Sequence, residues 1–266
     1  MDPITSVGTG LAVLGSKEIL TKLLGPTADY LGNEMKGLVE KCNFNLDRIF
    51  RKAERKLGDG IDIPGVVNPR VLKSVIDEGR FCEDELMAEY IAGVLACSRT
   101  HNGEDDRGVN LLAVLKRLSK FQVRTHYIFY STFKSVFDKE PYQWNTANPR
   151  GVWMSYNSYF LAMELDNKEV LNPEPMINHC LYGLLHEGIV RGCHTRINQN
   201  ISGESKPSLV FFPSIRGVEL YTWVHGFQDI TLDKFNKIPF DSLVPSMKLP
   251  EETSPFNGQL NAWTIS

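Results

Sequence analysis

The stretch Glu83 to Ala96 constrains the fold more than any other part of the chain. Acidic residues fill its first turn, where they favour the positive end of a helix dipole. Leu86, Tyr90, Ile91, Val94 and Leu95 follow at the spacing of a buried helical face. Ala88, Ala92 and Ala96 recur every four residues beside Gly93, and a stripe of small side chains lets another helix approach closely. This helix is therefore expected at the centre of a helical domain.

Its neighbours read the same way. Ser16 to Leu24 places Ile19, Leu20, Leu23 and Leu24 at helical spacing, and Gly25-Pro26 stops it. Thr27 can cap a helix running to about Lys41, and Asn45 to Leu57 forms another, rich in Arg48, Arg51, Lys52, Arg55 and Lys56, that ends at Gly58-Asp59-Gly60. Ile61 to Val67 contains Pro64-Gly65 and should be extended. Asn68-Pro69 supplies a cap and a first helical proline for a helix ending at Gly79. Ser98 to Glu104 reads as a polar loop, and Asp105 or Asp106 as the cap of a helix from Arg107 to Leu118. Ser119-x-x-Gln122 has capping-box spacing before a further helix to about Phe137. Asp138 to Arg150, with Pro141 and Pro149, is the expected domain boundary.

Beyond it, Gly151 to Leu165 has no decisive period. Asn172-Pro173 opens a helix from Met176 to Leu185 with Gly188 at its exit. Ile189 to Ile197 and Ser208 to Phe212 flank the polar turn Asn198 to Pro207 as the strands of a hairpin would. Ser214 can cap a last helix through Leu220, Trp223 and Val224, stopped by Gly226. The expected fold is mainly α: an N-terminal helical bundle with a smaller C-terminal α+β winged-helix-like unit. Its parts are a glycine-rich apolar leading segment (1–25), a helical domain (26–140), a winged-helix-like domain (151–238) and a proline-containing tail (239–266), extended or draped over a neighbour.

Composition narrows the function classes. The net charge of -3 and pI of about 6.1 give no bulk field for nucleic acid, so any such binding needs a local basic patch. The five cysteines are odd in number, widely spaced and set mostly in apolar stretches, which suits reduced core thiols and a cytoplasmic protein. The leading segment lacks the basic region of a signal peptide, and its apolar run is broken by Gly8, Gly10 and Gly15 and followed by Lys17 and Glu18. No stable transmembrane span is expected.

Several strings stand together in order. They are Leu23-Leu24-Gly25-Pro26-Thr27-Ala28-Asp29-Tyr30-Leu31-Gly32, Pro69-Arg70-Val71-Leu72, and Tyr90-Ile91-Ala92-Gly93-Val94-Leu95-Ala96-Cys97-Ser98-Arg99. Asp105-Asp106-Arg107-Gly108-Val109 and Leu118-Ser119-Lys120-Phe121-Gln122-Val123-Arg124-Thr125-His126-Tyr127 follow. In this order and spacing they resemble the Abi-alpha family of prokaryotic abortive-infection proteins, over roughly Leu23 to Tyr130. Gly183-Leu184-Leu185 and Gly217-Val218-Glu219-Leu220-Tyr221-Thr222-Trp223 extend the resemblance more weakly. It implies a role in phage defence and carries over no catalytic residue.

Candidate sites must be weighed against plain structural roles. Gly10 to Lys17 is not a phosphate-binding loop, because lysine does not directly follow the second glycine. His179, His186 and Cys193 are spaced by seven and give too few convergent ligands, so core packing or snorkelled histidines are favoured over metal. No metal and no cofactor is expected. Arg99 with Asp105, Asp106 and Arg107 could hold a phosphate or a metal, although capping a helix and tying a loop to its neighbour by bidentate pairing is the favoured reading. Lys116, Arg117, Lys120, Arg124 and Lys134, interleaved with Phe121, Tyr127 and Tyr130, could contact single-stranded nucleic acid, but most basic faces are simply solvated. Arg191, Arg196, Lys206 and Arg216 could contact phosphates from the winged-helix-like unit. Leu11, Val13, Leu14, Ile19, Leu20 and Leu23 form a candidate membrane or partner segment.

The leading expectation is an antiviral defence protein acting as a binding, sensor or effector component through protein or membrane contacts, in the cytoplasm or membrane-associated on infection. Its candidate partners are a phage component, a second defence protein, a membrane surface or a second copy of the chain, with nucleic acid behind them. The alternatives are a winged-helix nucleic-acid-binding regulator and an unrecognised nuclease or hydrolase using Asp105, Asp106 or Glu83, Asp84 and Glu85.

Overall fold

The computed structural model describes residues 22, 44–138, 142, 149–165, 174–200, 205–228, 235, 238 and 243–257. They are mostly helical with a smaller antiparallel sheet. They divide into two units, one from residues 1–119 with 222–229 and the other from 120–221 with 230–266. The division falls at Lys120 instead of in the proline-bearing stretch Asp138 to Arg150. Helix α5 (Lys120–Val136) is the reason, because its buried side chains find their partners downstream: Phe129 stacks on Phe211 at 4.1 Å and the Tyr130 hydroxyl donates to the Ile189 carbonyl at 2.6 Å.

In the first unit, helix α1 covers residues 44–57 and buries Leu46, Ile49, Phe50 and Ala53. A 3-10 turn (Gly58–Asp62) leads to strand β1 (Val66–Val67). Helix α2 (Pro69–Gly79) starts where expected, with the Asn68 side chain accepting from the Arg70 N–H at 3.0 Å. Helix α3 (Glu85–Cys97) is capped by Asp84, which accepts from Met87 N–H at 2.8 Å. Strand β2 (Arg99–Thr100) pairs antiparallel with β1, so the expected polar loop contains a strand. The extended backbone after Pro64-Gly65 supplies its partner. Helix α4 (Arg107–Arg117) packs on α2 and α3.

The small-residue stripe on α3 does what its chemistry suggests. Ala88, Ala92 and Ala96 are buried, and a Cβ built on Gly93 would sit 2.5 Å from the Val224 Cα and 2.6 Å from the Trp223 carbonyl oxygen. Only a residue without a side chain admits that backbone.

The second unit continues from α5 through strand β3 (Gly151–Ser155), helix α6 (Tyr156–Ala162), helix α7 (Glu174–His186) and the hairpin strands β4 (Val190–Asn200) and β5 (Ser205–Pro213). Helix α8 (Ile215–Val224) and strand β6 (Thr253–Phe256) follow. All pairings are antiparallel and the strand order is β4-β5-β3-β6. The expected hairpin is thus half of a four-stranded sheet. Part of the expected extended tail is its edge strand, with Met154 opposite Thr253 and Gly151 opposite Phe256. Strand alternation puts Val152, Met154, Leu209 and Phe211 on one face and Trp153, Val210 and Phe212 on the other, where Phe256 packs against them. Both faces are buried, which erased the alternation that would have revealed β3 in the sequence.

Helices α7 and α8 end in the same way. The Ile189 N–H bonds to the Leu184 carbonyl (3.0 Å) and Gly188 N–H to Leu185 (2.9 Å). The Phe227 N–H bonds to Thr222 (3.1 Å) and Gly226 N–H to Trp223 (2.9 Å). Gly188 and Gly226 have φ of 67° and 87°, the left-handed geometry that this stop demands and glycine meets without strain.

Candidate functional site

A cleft in the second unit is built by two segments distant in sequence. The Ser155 hydroxyl caps α6 by accepting from the Ser158 N–H (3.2 Å), and the Ser155 N–H donates to the Glu252 carbonyl (3.2 Å). The Ser158 hydroxyl in turn accepts from the Glu252 N–H at 3.1 Å. These bonds, continued by the β3–β6 ladder, fix the chain before β6 beside α6. Between them lies a cleft of about 400 Å³. Helix α6 and its exit contribute Asn157, Ser158, Leu161 and Glu164, and the facing segment contributes Lys248, Leu249, Glu251 and Glu252.

Glu164 stands at an unusual place. The Leu165 N–H bonds to the Phe160 carbonyl and the Glu164 N–H to Leu161, both at 3.1 Å, the same stop that α7 and α8 make with glycine. Glu164 takes the left-handed position, with φ of 55°, the one non-glycine residue at positive φ among the described residues. A side chain there costs roughly 1–2 kcal/mol relative to right-handed backbone. Arg124 supports the turn: its Nε–H donates to the Ala162 carbonyl at 3.0 Å, and its guanidinium pairs with the Glu164 carboxylate at 2.7 Å. Of the residues singled out in the sequence, Arg124 alone is tied to residues that line the cleft, and it acts there as a clasp on the end of α6.

The other candidates are held in internal contacts. The Arg99 guanidinium donates to the carbonyls of Lys22 (2.9 Å), Gly60 (3.1 Å), Ile61 (3.2 Å) and Ile63 (2.6 Å). It is a clamp on the 3-10 turn, with four of its five N–H donors committed to main-chain carbonyls. Asp105 accepts from Arg107 and, at 2.7 Å, from the Gln228 amide, and the Arg107 side-chain bond leads the contacts that hold its pKa below the usual carboxylate value. Asp106 pairs with Arg70, and Lys116 pairs with Glu78 at 2.8 Å. Asp84 caps α3, and Glu85 meets Arg48 at 3.2 Å and also Lys52. Of the acidic residues offered as nuclease ligands, Asp84, Glu85, Asp105 and Asp106 therefore have structural partners, while Glu83 is exposed.

The basic stripe fares similarly. Arg117 and Lys120 are exposed, with the Lys120 ammonium 5.0 Å from the Phe121 ring centroid. Lys134, Tyr127 and Tyr130 are at most 2% exposed, so neither tyrosine can stack on a base. His179 and His186 are exposed on α7, not packed in the core, and Cys193 is buried in β4. Among the described residues no group of three or more His, Cys, Asp or Glu side chains could hold a metal. Arg191 is exposed and Arg216 half-buried, while the side chains of Arg196 and Lys206 lie outside the described residues. So do Leu11, Val13, Leu14, Ile19, Leu20 and Leu23.

One polar group escaped sequence reading altogether. Glu89 of α3, 6% exposed, meets Lys52 at 2.6 Å and Lys56 at 2.5 Å on α1. Burial alone would raise its pKa, but the Lys56 and Lys52 ammoniums outweigh that and hold it below its ordinary value. The available signal was one carboxylate inside the otherwise apolar run Leu86 to Cys97, facing a lysine pair four apart.

No family model, no curated protein and no solved structure matches the chain. No helix among the described residues is long and apolar enough to cross a membrane.

Proposed function

We propose that the chain is a cytoplasmic antiviral defence component that acts by binding a protein partner, with an Abi-alpha-like helical bundle followed by a winged-helix-like module. The defence role rests on the resemblance over Leu23 to Tyr130. The module rests on the order α5, β3, α6, α7, β4, β5 with β3 beside β5, the order of helices and strands in a winged helix.

The observation that carries protein over nucleic acid is where the charge goes. Lys116 and Arg124 are ion-paired internally, Lys134 is buried, and the stacking tyrosines are in the core. The exposed side of α7 presents Glu174, Asn178, His179, Tyr182 and His186, with no lysine or arginine. Phosphate contacts supply most nonspecific nucleic-acid affinity, and this helix has little to make them with.

Phage plating tests the reading. Cells expressing the gene should show a lower plating efficiency than cells without it. The purified protein should show no steeply salt-dependent affinity for DNA or RNA. Equal plating across a broad phage panel removes the defence role, and tight salt-sensitive nucleic-acid binding replaces the protein partner with a nucleic-acid one.

A further inference from the structure

We propose that Arg99 and Asp62 form a latch that closes on Lys22 and so governs how available the apolar run upstream of it, Leu11 to Leu20, is to another protein. The latch lies within the first unit and stands independently of the defence reading.

The receiving side is built before Lys22 arrives. The Arg99 guanidinium is oriented by its donation to the carbonyls of Gly60 (3.1 Å), Ile61 (3.2 Å) and Ile63 (2.6 Å), in and just after the 3-10 turn. Gly65 leaves it room, because a Cβ there would lie 3.0 Å from the Arg99 Cζ. None of these contacts involves Lys22, so the guanidinium keeps its place when Lys22 leaves and is preorganised to recapture it.

Lys22 is then read at two points. The Arg99 Nε–H donates to its main-chain carbonyl at 2.9 Å, and the Asp62 carboxylate takes its ammonium at 2.5 Å. A leucine or methionine at this position would offer only the carbonyl, whereas lysine answers both the donor and the acid. The ion pair is open to water, with the two side chains 39% and 66% exposed, the setting in which such pairs contribute least. A charge-assisted hydrogen bond adds more, but neither contact is of the kind that holds a core together. Elements fastened in this way open locally without unfolding the rest of the domain.

The test is hydrogen–deuterium exchange of the full chain, read by mass spectrometry, with trypsin cleavage after Lys17 as the measure of access by a second protein. Exchange over residues 11–21 should rise about threefold in Asp62→Asn, the scale of an exposed ion pair. It should rise about tenfold in Arg99→Lys, which keeps the charge and loses the planar fork. Cleavage after Lys17 should accelerate in the same order, while exchange in α3 stays as in the wild type. The charge swap Lys22→Asp/Asp62→Lys should bring exchange back to within about twofold of the wild type. Unprotected exchange over residues 11–21 in the wild type, a variant without a rise, or a swap as fast as Asp62→Asn overturns the latch. So does a parallel rise in α3, which would make the segment a fixed part of the core.

Discussion

The molecule handles charge in two opposite ways. In the first unit, Lys52, Lys56 and Glu89 are buried between α1 and α3, each carboxylate oxygen of Glu89 met by an ammonium. In the second unit, Lys248, Glu251 and Glu252 stand in an open cleft, where solvent weakens every charge. A buried cluster must be compensated, since an unpaired buried charge costs several kcal/mol, whereas charges in an open cleft are compensated by water. Charge inside a compensated core therefore speaks of architecture. Charge in an open concavity is solvated and carries little of the fold's stability.

The largest expected effect breaks the closed cluster. Glu89→Ala leaves the largely buried Lys56 ammonium without its carboxylate and Lys52 with only the half-exposed Glu85, and should cost about 3–5 kcal/mol in urea unfolding. A loss below about 1 kcal/mol would mean that water reaches the lysines and the contrast is false. The same group sets a pH signature. Its folded pKa is depressed below that of an ordinary carboxylate, so its contribution is complete above the ordinary value and is lost as pH falls through the lower folded one. Glu89→Gln should flatten the stability profile over that acid window.

Next in size, Gly93→Ala pushes a methyl group into the Val224 backbone and should cost about 1–3 kcal/mol, the usual penalty for overpacking. Full stability in this variant would mean that the backbones separate freely.

Glu164 sharpens the comparison from the cleft side. Glu164→Gly restores the residue type used at the ends of α7 and α8 and should raise stability by about 0.5–1 kcal/mol, after allowing for the lost exposed ion pair with Arg124. Glu164→Ala keeps the left-handed strain and should bring no gain. Equal melting temperatures for the two variants would show that the backbone position carries no strain.

The smallest effect is expected from Glu251→Gln, which should change stability by less than about 0.5 kcal/mol, because exposed charges away from packed features contribute little. A larger loss would turn the rim carboxylate into a structural group like Glu89.

Helix stops and starts were the most legible part of the chain, since Asn68-Pro69, Gly188 and Gly226 each act through local backbone chemistry that does not depend on the rest of the fold. Strands β3 and β6 were not. Gly151 to Ser155 is buried on both faces and has no alternation, and Pro255 in β6 argues locally against a strand. The unit boundary was misplaced because proline content marks a flexible-looking stretch but says nothing of where α5 finds its core. The cleft was invisible for a different reason. Its walls are far apart in sequence, and its distinctive residue, Glu164, occupies a position where sequence rules expect glycine or asparagine.

That separation has a consequence for synthesis. The hydrogen bond from Glu252 to Ser158 spans 94 residues, so α6, α7 and the hairpin have all left the ribosome before the second wall of the cleft exists. A nascent chain, or one cut short ahead of β6, carries every helix of the second unit and no completed groove. The cleft is thereby assembled only once β6 has been made, and a product cut short ahead of it lacks the second wall.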